Sequence, residues 1–285
     1  MNSVTKGAHT TEEASPDSGL LIIGHRGASA HAPENTHAAF TRALFRDRAD
    51  GVEFDVRLAS DGVPYVFHDS TLNRTALASG EADSYPSDAL SAMRVGEWFW
   101  RGRAGEYHPT FASECIPMLA QMFARYGDRF LYTELKCEDA ARRPELARVV
   151  VEMARDYGIE GKVIVKSFAH DMLRECKRLA PEIRTAALFG RSWPRPFLPA
   201  ARILAEAEAC GADEISLHRS LLREATVEEA HRRGFEVLVW TVNSPASLRR
   251  ALKLNLRAVF TDYPGRLRAS LDGLRAEPSA RGETG

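Results

Sequence analysis

This sequence of 285 residues predicts an α/β fold, a closed (β/α)8 TIM barrel with a small insertion after the second strand. Three observations carry the prediction. Short apolar runs alternate with longer amphipathic ones along nearly the whole chain, the pattern of parallel strands joined by helices. The strand-like runs number eight, the count that closes such a barrel, and the length suits the ~250 residues usual for one. An open doubly wound sheet would place a G-x-G-x-x-G turn after an early strand, and none is present.

The elements follow in order. Residues 20–23 read as a buried strand, and a helix over 36–46 follows with Asn35 as its N-cap. The second strand spans 51–58. Six more are expected at 130–135, 163–165, 185–189, 214–217, 237–240 and 258–261. Helical patterns occupy 117–126, 143–157, 169–179, 199–209, 221–233, 245–252 and 264–274. One stretch breaks the rhythm. Between His68 and Pro117 lie the stretch 87–93 and then the aromatic residues Trp98, Phe99, Trp100, Tyr107 and Phe111, before the next regular helix. A structureless loop that long is improbable in a compact domain. An insertion over about 70–116, with its own small structure across one end of the barrel, is expected. The domain proper is expected over 20–275, with a disordered leader at 1–19 and a disordered tail at 276–285.

Composition narrows the class. A formal net charge of −1 gives no global basic field, so no nucleic-acid partner is expected. No run approaches the ~18 apolar residues that cross a bilayer, and the leader has no apolar run for a signal peptide. Cys115, Cys137, Cys176 and Cys210 lie far apart without a C-x-x-C pair, which argues against a zinc ribbon or redox motif. Reduced thiols in a cytoplasmic protein are expected. Nothing in the sequence fixes an oligomeric state.

The chemistry-bearing residues gather at strand ends. His25 and Arg26 follow strand one, and Glu53 and Asp55 lie in strand two at i, i+2, on one face. His68 sits beyond strand two. Glu134 and Lys136 end strand three, Ser167 and Phe168 follow strand four, His218 ends strand six, Trp240 strand seven, and Thr261 and Asp262 strand eight. In a barrel all of these fall on the carboxyl-terminal face, where active sites of this fold are built. Glu53 and Asp55 alone could be a solvated edge or partners of Arg57. With Glu134, three carboxylates at one mouth would repel unless a cation sits among them, and all-oxygen ligation suits Mg²⁺ or Ca²⁺. His25 is either a structural histidine or a proton carrier, and His68 either a further metal ligand or a proton carrier. Arg26 and Lys136 are either ion-pair partners of the carboxylates or contacts for a phosphate. Glu34 is expected to hold the His-Arg-Gly turn. Trp240 is either core or a wall for part of a substrate, with Phe168 and His218 also able to line the mouth. Together the groups suit phosphodiester cleavage.

Several motifs resemble the glycerophosphodiester phosphodiesterases. They are His25-Arg26-Gly27, Pro33-Glu34-Asn35-Thr36, Glu53-Phe54-Asp55-Val56 with Asp61-Gly62, and the Phe-His-Asp-Ser-Thr-Leu-Asn-Arg-Thr string at 67–75. Ile116-Pro117, Glu134-Leu135-Lys136, Ser167-Phe168, Trp240-Thr241-Val242-Asn243 and Thr261-Asp262-Tyr263-Pro264 follow in order, so the resemblance spans about 21–266. It implies a (β/α)8 barrel that uses a divalent cation to hydrolyse glycerophosphodiesters to sn-glycerol 3-phosphate and an alcohol. It also implies Glu53, Asp55 and Glu134 as metal ligands, His25 and His68 as acid and base, and Arg26 and Lys136 as phosphate contacts. Two other functions compete. A lysophospholipase D would use the aromatic insertion and the apolar run Trp193 to Leu198 for an acyl chain. A non-catalytic phosphodiester-binding barrel would have lost a histidine or a carboxylate, and none is missing here.

Overall fold

The computed structural model describes residues 19–100, 109–190 and 198–276. The expected leader up to residue 18, the expected tail from 277, Tyr107, and residues 193–197 of the apolar run lie outside the described residues. In chain order the strands are β1 (Leu21–His25), β2 (Gly51–Leu58), β3 (Pro64–Val66), β4 (Phe130–Leu135), β5 (Val163–Ser167), β6 (Arg184–Phe189), β7 (Glu214–His218), β8 (Glu236–Trp240) and β9 (Ala258–Thr261). Neighbours run β1-β9-β8-β7-β6-β5-β4-β2, and β1 also pairs with β2, so eight parallel strands close into a barrel. β3 is an addition to the expected eight. It folds back antiparallel on β2, with Val66 opposite Val56. Three residues beginning at a proline carry no periodicity for sequence reading to detect.

The helices are α1 (His37–Thr41), α2 (Ser87–Ala92), α3 (Pro109–Ala112), α4 (Leu119–Tyr126), α5 (Arg143–Asp156), α6 (His170–Leu179), α7 (Ala200–Ala209), α8 (Glu224–Arg232), α9 (Pro245–Lys253) and α10 (Pro264–Ala276). The chain continues from α1 through a wider helical turn over Arg42–Arg46. The long helices form where apolar residues recur at three and four. In α5 these are Leu146, Ala147, Val150, Val151 and Ala154, all buried against the barrel. α9 starts where Ser244 Oγ accepts the Ser247 N–H and Pro245 opens the first turn.

The expected cap of α1 is corrected by one residue. Thr36 is the N-cap, its Oγ1 accepting the Ala39 N–H at 3.3 Å. Asn35 has φ +57° and sends its side chain to Asp55 instead.

Alternation along the strands divides the core. Outward residues such as Val52, Phe54 and Val56 pack against the helices. Inward residues Ile23, Tyr132, Ile164, Ala186, Leu238, Ala258 and Phe260 fill the barrel. A third apolar cluster, including Tyr65, Phe67, Leu72, Leu90, Val95 and Ile116, gives the insertion a small core of its own.

Arg57 latches that insertion to the barrel. It is 1% exposed and donates to both Asp83 oxygens, at 2.9 and 2.8 Å, and to Glu138. Tyr65 donates its hydroxyl to the same Asp83 at 2.6 Å. Arg57 is therefore not the partner of Glu53 and Asp55. Replacing Asp83 by Ala leaves a buried guanidinium with Glu138 as its remaining carboxylate. Denaturant unfolding should show a loss of about 3 kcal/mol, the low end for a broken buried pair. A loss under about 0.5 kcal/mol, the scale of an ordinary surface change, would contradict the latch.

Candidate active site

Strand register assembles this site. His25 lies opposite Glu53 on β1 and β2, Asp55 opposite Glu134 on β2 and β4, and Glu134 opposite Lys166 on β4 and β5. The two-residue period turns Glu53 and Asp55 together into the barrel. Ligand atoms of Glu53, Asp55 and Glu134 all lie within 4.8 Å of one another, and all three residues are buried. The structure thus brings the three expected carboxylates together.

Three cations face them. Arg26 Nε is 3.3 Å from Asp55 Oδ2. Lys136 Nζ stands between Asp55 Oδ1 at 3.3 Å and Glu134 Oε1 at 2.6 Å. Lys166 Nζ is 3.1 Å from Glu53 Oε1 and 3.7 Å from Glu134 Oε2. Burial alone would raise the Asp55 carboxyl, but Arg26, Lys136, His68 and the Asn35 amide at 2.8 Å hold it well below the usual carboxylate range. Glu53 is lowered in the same way: burial opposes ionisation, and Lys166 leads the charges that overcome it. Both Glu53 and Asp55 thus favour the ionised form. An all-oxygen set of carboxylates this close fits a hard divalent cation.

Each expected proton carrier has an aspartate behind it. His25 Nδ1 lies 2.8 Å from Asp262 Oδ1. Asp262 is fixed in turn by Ser29 Oγ at 3.1 Å and Asn243 Nδ2 at 2.7 Å. His68 Nδ1 lies 2.6 Å from Asp69 Oδ1. An aspartate at Nδ1 sets the ring's orientation and directs proton exchange to Nε2. His25 is the last residue of β1, which runs two residues past the end expected at residue 23.

The His-Arg-Gly turn is tightly built. Arg26 has φ +53°, and its N–H donates to Glu53 Oε2 at 3.0 Å. Gly27 has φ +83°, and a Cβ there would stand 2.6 Å from the Ala39 carbonyl carbon, so only glycine fits. Glu34 holds the turn, accepting Arg26 Nη1 at 2.8 Å. Arg74 then joins the two halves of the site. It donates to Glu34 at 2.9 and 2.7 Å and to Asp69 at 2.6 and 3.0 Å.

A cavity of about 780 Å³ opens on this centre, lined by His68, Glu134 and Lys136 and further out by Phe168, Met172 and Arg143. Phe168, half exposed, meets Trp240 edge-on at 5.8 Å, and His218 meets Trp240 at 5.0 Å. Of the three, Phe168 lines the cavity. Trp240 also packs on the barrel interior. Sequence reading assigned no role to Lys166 or Asp262. A lone charge closing the apolar run Val163-Ile164-Val165 was the available signal for Lys166. For Asp262 it was a carboxylate at the end of the last strand.

Comparison with known proteins follows the same outline. The model of the glycerophosphoryl diester phosphodiesterase family matches residues 25–266. A glycerophosphodiester phosphodiesterase of Caldanaerobacter subterraneus subsp. tengcongensis is 31% identical over 248 residues, covering 86% of this chain and 94% of that protein. Among solved structures, an Oleispira antarctica phosphodiesterase in complex with the product sn-glycerol-3-phosphate has a TM-score of 0.76 at 28% identity, over 88% of this chain and 96% of that one. A glycerophosphodiester phosphodiesterase from Agrobacterium tumefaciens has a TM-score of 0.72 at 27% identity, over 88% and 99%.

The aspartates behind the histidines make stability acid-sensitive. Burial would raise both Asp69 and Asp262, but Arg74 and His68 lower the first, and His25, Asn243 and Ser29 lower the second. A carboxyl lowered by folding stabilises above its unfolded pKa, and that stability is lost as pH falls through the folded value. The Tm should be nearly flat from about pH 5 to 7 and fall below about pH 4. Asp262→Asn should lower the plateau and shallow the acid limb. A Tm that holds or rises on acidification would contradict this.

Proposed function

This chain belongs to the glycerophosphoryl diester phosphodiesterase family, and we propose that it hydrolyses glycerophosphodiesters to sn-glycerol 3-phosphate and an alcohol, with a divalent cation. One observation carries the reading. Three buried carboxylates, two aspartate-backed histidines and two reachable cations converge on one barrel mouth. The product held by the Oleispira antarctica relative supports the substrate class. A barrel that only binds would not need the full set.

Glu53, Asp55 and Glu134 would hold Mg²⁺ or Ca²⁺, which when bound supplies positive charge against a phosphate oxygen as negative charge gathers there. Arg26 and Lys136, each 19% exposed, orient the phosphate through a planar fork and a point charge. One histidine takes a proton from the attacking oxygen as its bond to phosphorus forms. The other gives a proton to the departing alkoxide as the phosphorus–oxygen bond breaks. His68 lines the large cavity beside Phe168 and His25 does not, which supports His68 as the acid and the cavity as the place of the alcohol. The attacking oxygen belongs to water or to the glycerol 2-hydroxyl, the second route passing through a cyclic phosphate. The four cysteines form no disulfide, which supports a cytoplasmic setting.

Changing either histidine to Ala should cut kcat on glycerophosphocholine by roughly 10²–10⁴-fold, the scale of general acid–base catalysis. A p-nitrophenyl ester, whose leaving group departs without a proton, should restore the rate of His68→Ala and not of His25→Ala. Rescue of His25→Ala alone would exchange the two roles. Unchanged kcat in both variants would remove the histidines from the reaction. Running lysophosphatidylcholine beside the glycerophosphodiesters tests whether the cavity takes an acyl chain.

A further inference from the structure

Lys166 is the most enclosed cation of the cluster, at 2% exposure where Arg26 and Lys136 each have 19%. It projects inward from β5 on the same face as Ile164, while Val163 and Val165 face the helices. Its ammonium rests 4.2 Å from the centre of the Phe260 ring and reaches Glu53 Oε1 at 3.1 Å and Glu134 Oε2 at 3.7 Å. Arg26 and Lys136 stand at the rim and are able to turn toward an incoming phosphate. Lys166 is pinned from below by an aromatic face and two carboxylates.

From this geometry we infer that Lys166 is a positioning residue that sets the strength of divalent cation binding. It is a built-in counter-charge. It keeps Glu53 and Glu134 converged in the absence of a divalent ion, and it competes by like-charge repulsion with any cation that the carboxylates hold. Without it, Glu53 would keep the Arg26 N–H as a donor. The two effects have opposite signs. Removing Lys166 should destabilise the metal-free protein, because buried like charges lose their partner. The same change should tighten cation binding, because a neighbouring positive charge is gone. A purely structural lysine would give the first effect without the second. The inference rests on the reading of Glu53, Asp55 and Glu134 as the cation site.

The test is calorimetric titration of chelator-stripped, folded protein with Mg²⁺, alongside thermal unfolding with and without saturating Mg²⁺. Lys166→Met removes the charge at similar length, and Lys166→Gln keeps a donor to Glu53 should the Met variant fail to fold. Lys166→Arg retains the charge. The neutral variants should bind Mg²⁺ about tenfold more tightly than wild type, the direction that Coulomb repulsion dictates. Their metal-free Tm should fall, and their Tm gain on adding Mg²⁺ should exceed that of wild type. Lys166→Arg should keep wild-type affinity. Mg²⁺ affinity unchanged or weakened in a folded neutral variant would overturn the role given to Lys166 and leave the cation site standing. Wild-type protein that binds neither Mg²⁺ nor Ca²⁺ would overturn the cation site and this inference together.

Discussion

The structure turns on a buried balance of charge. Three carboxylates within 4.8 Å of one another inside a barrel would repel if no positive charge stood among them. Arg26, Lys136 and Lys166 match them one for one, and each comes from a different segment: the turn after β1, the end of β4, and the inner face of β5. The barrel is what makes that meeting possible. Parallel register puts Asp55, Glu134 and Lys166 at one level on successive strands, so this part of the site is a consequence of pairing and not of loop conformation. Charged loops would have to be ordered at an entropic cost, whereas strand residues are placed by the same hydrogen bonds that hold the fold.

Around this cluster lie supports whose effect is orientation. Asp262 sits just past β9 and backs His25 across the closing seam of the barrel. Asp69 backs His68 from the start of the insertion. Arg74 clamps Asp69 and Glu34 together, so the insertion is tied to the His-Arg-Gly turn through four hydrogen bonds. Arg57 ties the other side of the insertion to β2. The insertion is therefore part of the site's scaffold, and not a cover lying loosely over it.

Much of this was legible in the residues. The alternation of apolar runs and helical patterns located all eight barrel strands, because each must be buried on both faces and so is nearly uniform in hydrophobicity. Glu53 and Asp55 were readable because i, i+2 has one meaning in a strand. Glu134 followed because its strand is the next barrel strand in sequence. Contacts between distant segments were harder. Nothing in local spacing says that Asp262 reaches His25, 237 residues away, or that Asn35 leaves its helix to serve Asp55. Arg57 was readable as a partner for carboxylates but not as belonging to Asp83, since the insertion's path is set by its own small core. Lys166 lay hidden in an apolar strand, where one charge is easily taken for the strand's end.

The central claim is that this charge cluster is a divalent-cation centre for cleaving phosphodiesters. Phosphorus NMR of sn-glycero-3-phosphocholine, incubated with chelator-stripped protein and then with added Mg²⁺ or Ca²⁺, tests it most directly. The diester resonance should persist in chelator and, once cation is added, give way to that of sn-glycerol 3-phosphate. Conversion at full rate in excess chelator, or no conversion of any glycerophosphodiester with either cation, would contradict the account.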